Sequence, residues 1–276
     1  MPKGKTLLLA SALTMGLMAG AHPIGAQAAE SEIAVTYDVD VGSLSAMRIA
    51  YKAALSADGY ESTASVKTKG LADLFSDYRM EMASAGAFAG GTLAPSHYRS
   101  ESLKSKSKKK VLEVRWKDGN PAVASTPRDK EDDALVAPGL TAGLVDPLSM
   151  LLRKAALQEG QPCPSVERVV DGREVYDLRF TLAGEVKLGS KSPGVYRGKA
   201  LKCSMTYTPV AGRPAVKFKK SGSAPSKFDI WFAPIDPAGS GKAMYVPVLA
   251  TGKLQGMSFV AYAREASVDG RKLSEN

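Results

Sequence analysis

Side chains able to do chemistry are few and scattered along this sequence. Only two histidines occur, His22 and His97. That is too few for a histidine-based zinc site, and any Ser-His-Asp relay would have to use one of them. His97 stands at a proline-flanked strand start, where packing competes with chemistry. Asp38 and Asp40 alternate along an apolar stretch, so both carboxylates would share the outward face of one strand. Neighbouring carboxylates are the raw material of glycoside hydrolysis. A general acid needs burial to raise its pKa, however, and this face reads as solvent-facing. The run Glu131, Asp132, Asp133 reads as a solvated loop, and a metal there would need ligands from elsewhere. No G-x-S-x-G elbow, phosphate-binding loop or H-E-x-x-H pair is present. The sequence therefore assigns no catalytic residue, no metal ligand and no cofactor.

Charge is the feature that rises above background. The formal charge of the whole chain is +9. Lys104, Lys106, Lys108, Lys109 and Lys110 are interleaved with serines, and on one extended strand the even-numbered members would point the same way. A second cluster is Lys217, Lys219, Lys220 and Lys227. Such patches attract anionic lipid surfaces or acidic proteins in a salt-dependent manner. The competing reading is that lysines guard a strand edge or hairpin tip against aggregation. Trp231, Phe232, Tyr245, Phe259 and Tyr262 could line an apolar cavity, or could be ordinary core. Ten methionines suit either a core or a lipid-lined groove.

The N-terminus fixes the expected address. Lys3 and Lys5 precede an apolar run from Leu7 to Met18, with no acidic residue before Glu30. That run falls short of the roughly 20 residues needed to span a bilayer. Ala26-Gln27-Ala28 then offers small residues at the cleavage positions. Residues 1–28 are read as a signal peptide cut after Ala28, and residues 29–276 as a single β-rich periplasmic domain. His22 leaves with the leader, as do the two lysines, and the +9 charge falls to +7. Nucleic acid is an unexpected partner at that address, and no later run is apolar enough for an integral membrane helix. Cys163 and Cys203 are the only cysteines, and in an oxidising compartment such a pair forms a structural disulfide.

The elements that must position these groups are mostly strands. Ile33, Val35, Tyr37, Val39 and Val41 alternate along one face. Asp58-Gly59, Asp118-Gly119 and Asp171-Gly172 each separate two strand-like runs, the signature of tight hairpins. One helix is signalled by Asp146 as cap and Pro147 at the first helical position, with Leu148, Leu151, Leu152 and Ala155 at helical spacing. The expected fold is mainly β: a single strongly curved antiparallel sheet, an open barrel or β-spiral, with one packed α-helix. Leu148, Leu151 and Leu152 would cover its concave side. Thr126–Thr141 and Lys219–Lys227 read as loops, and Leu71–Phe75 as a short helical turn.

Several segments together resemble a bacterial family of exported proteins, domain of unknown function 3108. They are Tyr37-Asp38-Val39, Thr68-Lys69-Gly70-Leu71, Leu93-Ala94-Pro95-Ser96-His97-Tyr98, Val145-Asp146-Pro147-Leu148-Ser149, Val170-Asp171-Gly172-Arg173 and Tyr196-Arg197-Gly198 leading to Cys203. The resemblance implies an exported, mostly β periplasmic protein and brings no catalytic residues with it. The favoured expectation is a non-enzymatic cell-envelope protein that binds a lipid or other amphiphile, or an envelope protein. The alternatives are a periplasmic hydrolase using carboxylates and a structural partner-binding module.

Overall fold

The computed structural model describes residues 31–70, 77–89, 92–104, 108–128, 140, 143–156, 161–212, 215–216, 226–236, 244–254 and 256–273. Among them, fourteen strands form one sheet. The first meander contains β1 (Ser31–Val41), β2 (Leu44–Leu55), β3 (Gly59–Thr68) and β4 (Tyr78–Ala89). It continues through β5 (Thr92–Lys104), β6 (Lys108–Lys117) and β7 (Asn120–Thr126). The second contains β8 (Ser165–Val170), β9 (Glu174–Leu188), β10 (Gly198–Gly212), β11 (Ser226–Ile235), β12 (Met244–Leu254) and β13 (Met257–Val268). The two-residue β14 (Arg271–Lys272) pairs with β13. The single described α-helix, α1 (Pro147–Ala156), lies between the meanders in sequence.

Every strand pair is antiparallel, and the meanders join where β13 pairs with β1. The sheet does not close by hydrogen bonding, because β7 and β8 are its two ends. It nevertheless curls until these ends approach one another. The β8–β9 turn tucks against the side chain of Leu112 in β6, and a Cβ built on Gly172 would lie 3.0 Å from Leu112 Cβ. Gly172 also has φ +85, a conformation that costs any other L-residue energy. Gly172→Ala should therefore lose about 2 kcal/mol from backbone strain and overpacking together. A lowered urea midpoint with unchanged slope would be the sign of it, and an unchanged midpoint would contradict the contact.

The core lies inside this curl. Ile33, Val35, Tyr51, Tyr60, Tyr98, Val114, Val175 and Val246 come from strands of both meanders and belong to one buried cluster. A smaller cluster gathers Val145, Met150, Val169, Leu178, Phe180 and Phe232 around Cys163 and Cys203, which form a disulfide. Helix α1 enters the main core through Leu148 and Leu152, and Leu151 packs against both clusters. Its start is set locally: Asp146 Oδ1 accepts the N–H groups of Leu148 at 2.9 Å and Ser149 at 3.0 Å.

Candidate functional site: the seam between the meanders

The sheet ends leave a seam, and α1 staples it. Arg153 donates from Nη1 to Glu167 Oε2 of β8 at 2.9 Å and from Nη2 to the Leu93 carbonyl of β5 at 3.4 Å. Lys154 reaches Glu167 Oε1 at 2.5 Å, hydrogen-bonds Ser165, and lies 4.8 Å above the Phe180 ring. Burial pushes the Lys154 pKa down, while Glu167 opposes that shift. On the opposite side of the helix start, Ser84 donates to Asp146 Oδ2 at 2.8 Å, and Ser149 also bonds that oxygen. Tyr60 OH lies 2.6 Å from Ser149 Oγ. Burial raises the Asp146 pKa, but four donors face its two oxygens, which is the number an ionised carboxylate can accept. One helix is thus pinned to β3 and β4 at its start and to β5 and β8 at its end.

Where the staple ends, the seam widens into a cleft of about 940 Å³. One wall is Thr92, Leu93, Ala94 and Pro95, with Trp116 and the Asp118-Gly119 turn beside it. The other is Leu144, Val145, Val166 and Glu167, with Arg153 between. The Val166 side chain is 51% exposed on an otherwise well-packed strand. The Trp116 indole Nε1 is buried without a hydrogen-bond acceptor. Apolar walls with a few placed polar groups are the usual make-up of a ligand site.

The paired carboxylates suggested by sequence are corrected by the structure. Asp38 is not solvent-facing: it is 1% exposed beneath three cations. Arg48 engages both its oxygens at 2.8 and 3.2 Å, Lys69 sits at 2.8 Å and Arg264 at 3.3 Å. Arg264 reaches it because β13 carries an extra residue there, between Glu265 opposite Thr36 and Ala263 opposite Tyr37. The hydrogen bonds from Arg48, reinforced by Lys69, hold the Asp38 carboxyl well below the usual carboxylate range. A group held charged in this way cannot serve as a general acid near neutrality.

A depressed carboxyl pKa contributes stability that is complete above the unfolded-state value of roughly 3.9 and is lost as pH falls below it. The gap in Tm between the wild type and Asp38→Asn, present at pH 7, should therefore narrow on acidification through that region. A gap that stays constant down to pH 2 would contradict the clamp.

The lysine-rich stretch is a hairpin rather than one extended strand. Lys104 and Lys108 are cross-strand partners at the β5–β6 reversal, and Lys106 lies outside the described residues. Lys109 pairs with Glu101 at 2.7 Å, inside a lattice that includes Arg99, Glu113 and Arg115. Lys110 is the cross-strand partner of Ser102. Cross-strand partners share a sheet face, so the register keeps positions 104, 108 and 110 on one face with Ser102, and places Lys109 on the other face with Glu101. Of the second cluster, Lys227 opens β11, whereas Lys217, Lys219 and Lys220 lie outside the described residues, as does Leu71–Phe75.

Four of the five aromatic residues are distributed between the two clusters. Phe232 and Tyr245 join the disulfide cluster, while Trp231 and Tyr262 pack against the main core. Phe259 faces Phe228 across 5.8 Å. Trp231 and Phe232 are adjacent on a strand that pairs regularly with β10, so the pleat alone turns them to opposite faces. Sequence reasoning missed Arg153, Lys154, Glu167 and Trp116. The signal for Glu167 was a carboxylate on the same strand face as Val169.

These features define a class: an open, curled antiparallel sheet pinned by one buried helix, with a cleft at its seam. The chain belongs to the family described as Protein of unknown function (DUF3108), which it matches over residues 36–255. Two family-like segments meet at the Asp38–Lys69 ion pair, and two more supply Leu93–Pro95 and Val145 to the cleft. Among solved structures the chain is similar to a beta-barrel-like protein of domain of unknown function DUF1849 from Brucella abortus. The identity is 11%, the TM-score 0.48, and the match covers 87% of this chain and 98% of that one. No curated protein matches the sequence.

Proposed function

We propose that this chain is an exported cell-envelope protein that works by binding, with residues 29–276 acting as one unit once a leader of residues 1–28 is removed. Its ligand is a lipid or other amphiphile, or a segment of an envelope protein, held in the seam. The observation that carries this reading is the cleft itself, with apolar walls on two different meanders and a guanidinium between them. The Cys163–Cys203 disulfide supports an oxidising address. Hydrolysis by a carboxylate pair is disfavoured because Glu167, the buried acid of the cleft, is already engaged by Lys154 and Arg153.

The test places a photo-crosslinking amino acid at Asp118, on the cleft rim, in cells, alongside native mass spectrometry of the mature protein taken from its own envelope. The expected result is a retained mass or a crosslink that disappears when Val166 is changed to Glu. A clean unliganded mass together with no crosslink would overturn the reading.

A further inference from the structure

The backbone of β8 identifies the kind of ligand the seam accepts, an inference that rests on the seam being a binding site. Arg168 C=O accepts the Val145 N–H at 3.1 Å, and Val170 N–H donates to the Val145 carbonyl at 2.9 Å. Backbone groups alternate sides along a strand, so the even-numbered residues of β8 face away from β9. Val145 thus occupies one position of this outer edge in a parallel bridge. Gly143, at φ +70, turns the chain just before Leu144. The next groups along the edge are the Val166 N–H and C=O and the Arg168 N–H. Among the described residues they have no backbone partner, and Val166 lines the cleft.

An alternating row of donors and acceptors at strand spacing is matched by another extended backbone. An acyl chain offers neither donors nor acceptors along its length. Two side chains agree with a peptide. The exposed Val166 offers an apolar contact at the strand's period, and the buried Trp116 Nε1 in the same cleft lacks the acceptor that a peptide carbonyl would supply. The other sheet end is less suitable, because β7 carries Pro121, a residue that blunts edges. We infer that the seam captures an extended segment of a partner protein, which adds to β8 as a further strand beside Val145.

A random linear-peptide library displayed on phage is panned against the full mature protein, and a selected peptide is synthesised. Binding of that peptide should slow amide exchange at Val166 and Arg168 by at least about tenfold, read residue by residue by NMR. Val166→Pro removes an N–H that faces away from β9, so it should abolish peptide binding while leaving the urea midpoint near that of wild type. Unchanged exchange at both amides, undiminished binding by a folded Val166→Pro protein, or no selectable peptide would each overturn the inference. The exchange measurement uses wild-type protein and decides the matter even where the proline variant fails to fold. Crosslinks from Asp118 to lipid alone would sink strand capture and leave seam binding standing, whereas an empty seam would sink both.

Discussion

Glu167→Gln is expected to destabilise the fold by about 3–5 kcal/mol, the loss typical of breaking a buried ion pair from one side. Lys154 is 1% exposed and Glu167 4% exposed, so neither charge can turn to water without opening the seam. With the negative charge gone, the ammonium keeps neutral partners alone: the Ser165 hydroxyl, the face of Phe180 and the amide oxygen at position 167. Removing the other partner is a different experiment. In Lys154→Met, Glu167 still holds Arg153 at 2.9 Å, so its charge remains compensated and the loss should be clearly smaller. Replacing both, as Lys154→Met with Glu167→Leu, should recover much of the stability, because an apolar pair of similar volume carries no desolvation penalty. Urea titration of these variants together with Glu167→Leu alone, which closes the cycle, measures the coupling. Equal losses for Glu167→Gln and Lys154→Met, or strict additivity in the double, would show that the charges are not bound as described.

Removing the disulfide is the second large change, and it acts on a different part of the molecule. The bridge joins residues 40 apart in sequence. On the chain-entropy model a loop of that length is worth about 4 kcal/mol. It ties the segment that follows α1 to β10, and both sulfurs are buried among Met150, Phe180 and Phe232. The Cys163→Ala/Cys203→Ala protein should therefore unfold at a much lower urea concentration and lose order first around α1 and β8. Amide exchange locates that loss. A double variant within about 1 kcal/mol of wild type would mean that the unfolded chain gains little freedom when the link is cut.

What the sequence disclosed was mainly local. Asp118-Gly119 and Asp171-Gly172 announced hairpins because Gly tolerates positive φ at a tight turn, and both sit in such turns. Asp146-Pro147 announced the helix because cap and first turn are chemically specified. What was not legible depended on distant partners. Alternation put Asp38 on the face opposite Ile33 and Val35, but its burial comes from Arg48, Lys69 and Arg264 on other strands. Lys154 stands in the last helical turn, where nothing in the local sequence marks it for burial, and only the placement of β8 explains it. Trp231 and Phe232 read as residues that could share one cavity, but as successive residues of a strand they face opposite sides and join different clusters. The lysine run showed which positions share a face, but the reversal that divides it between β5 and β6 cannot be seen from charge spacing alone.

The pairing of β1 with β13 has a consequence for how the chain reaches this state. Ile33 lies opposite Val268, so the middle of the sheet is stitched from the two extremities of the described sequence. Single hairpins close in roughly microseconds, whereas the central ladder waits until the chain has been made as far as β13. Until then β1 has one bare edge, open to the wrong neighbour. Contacts this distant in sequence are the slow ones to form, and an agent that shields β1 would act in that interval.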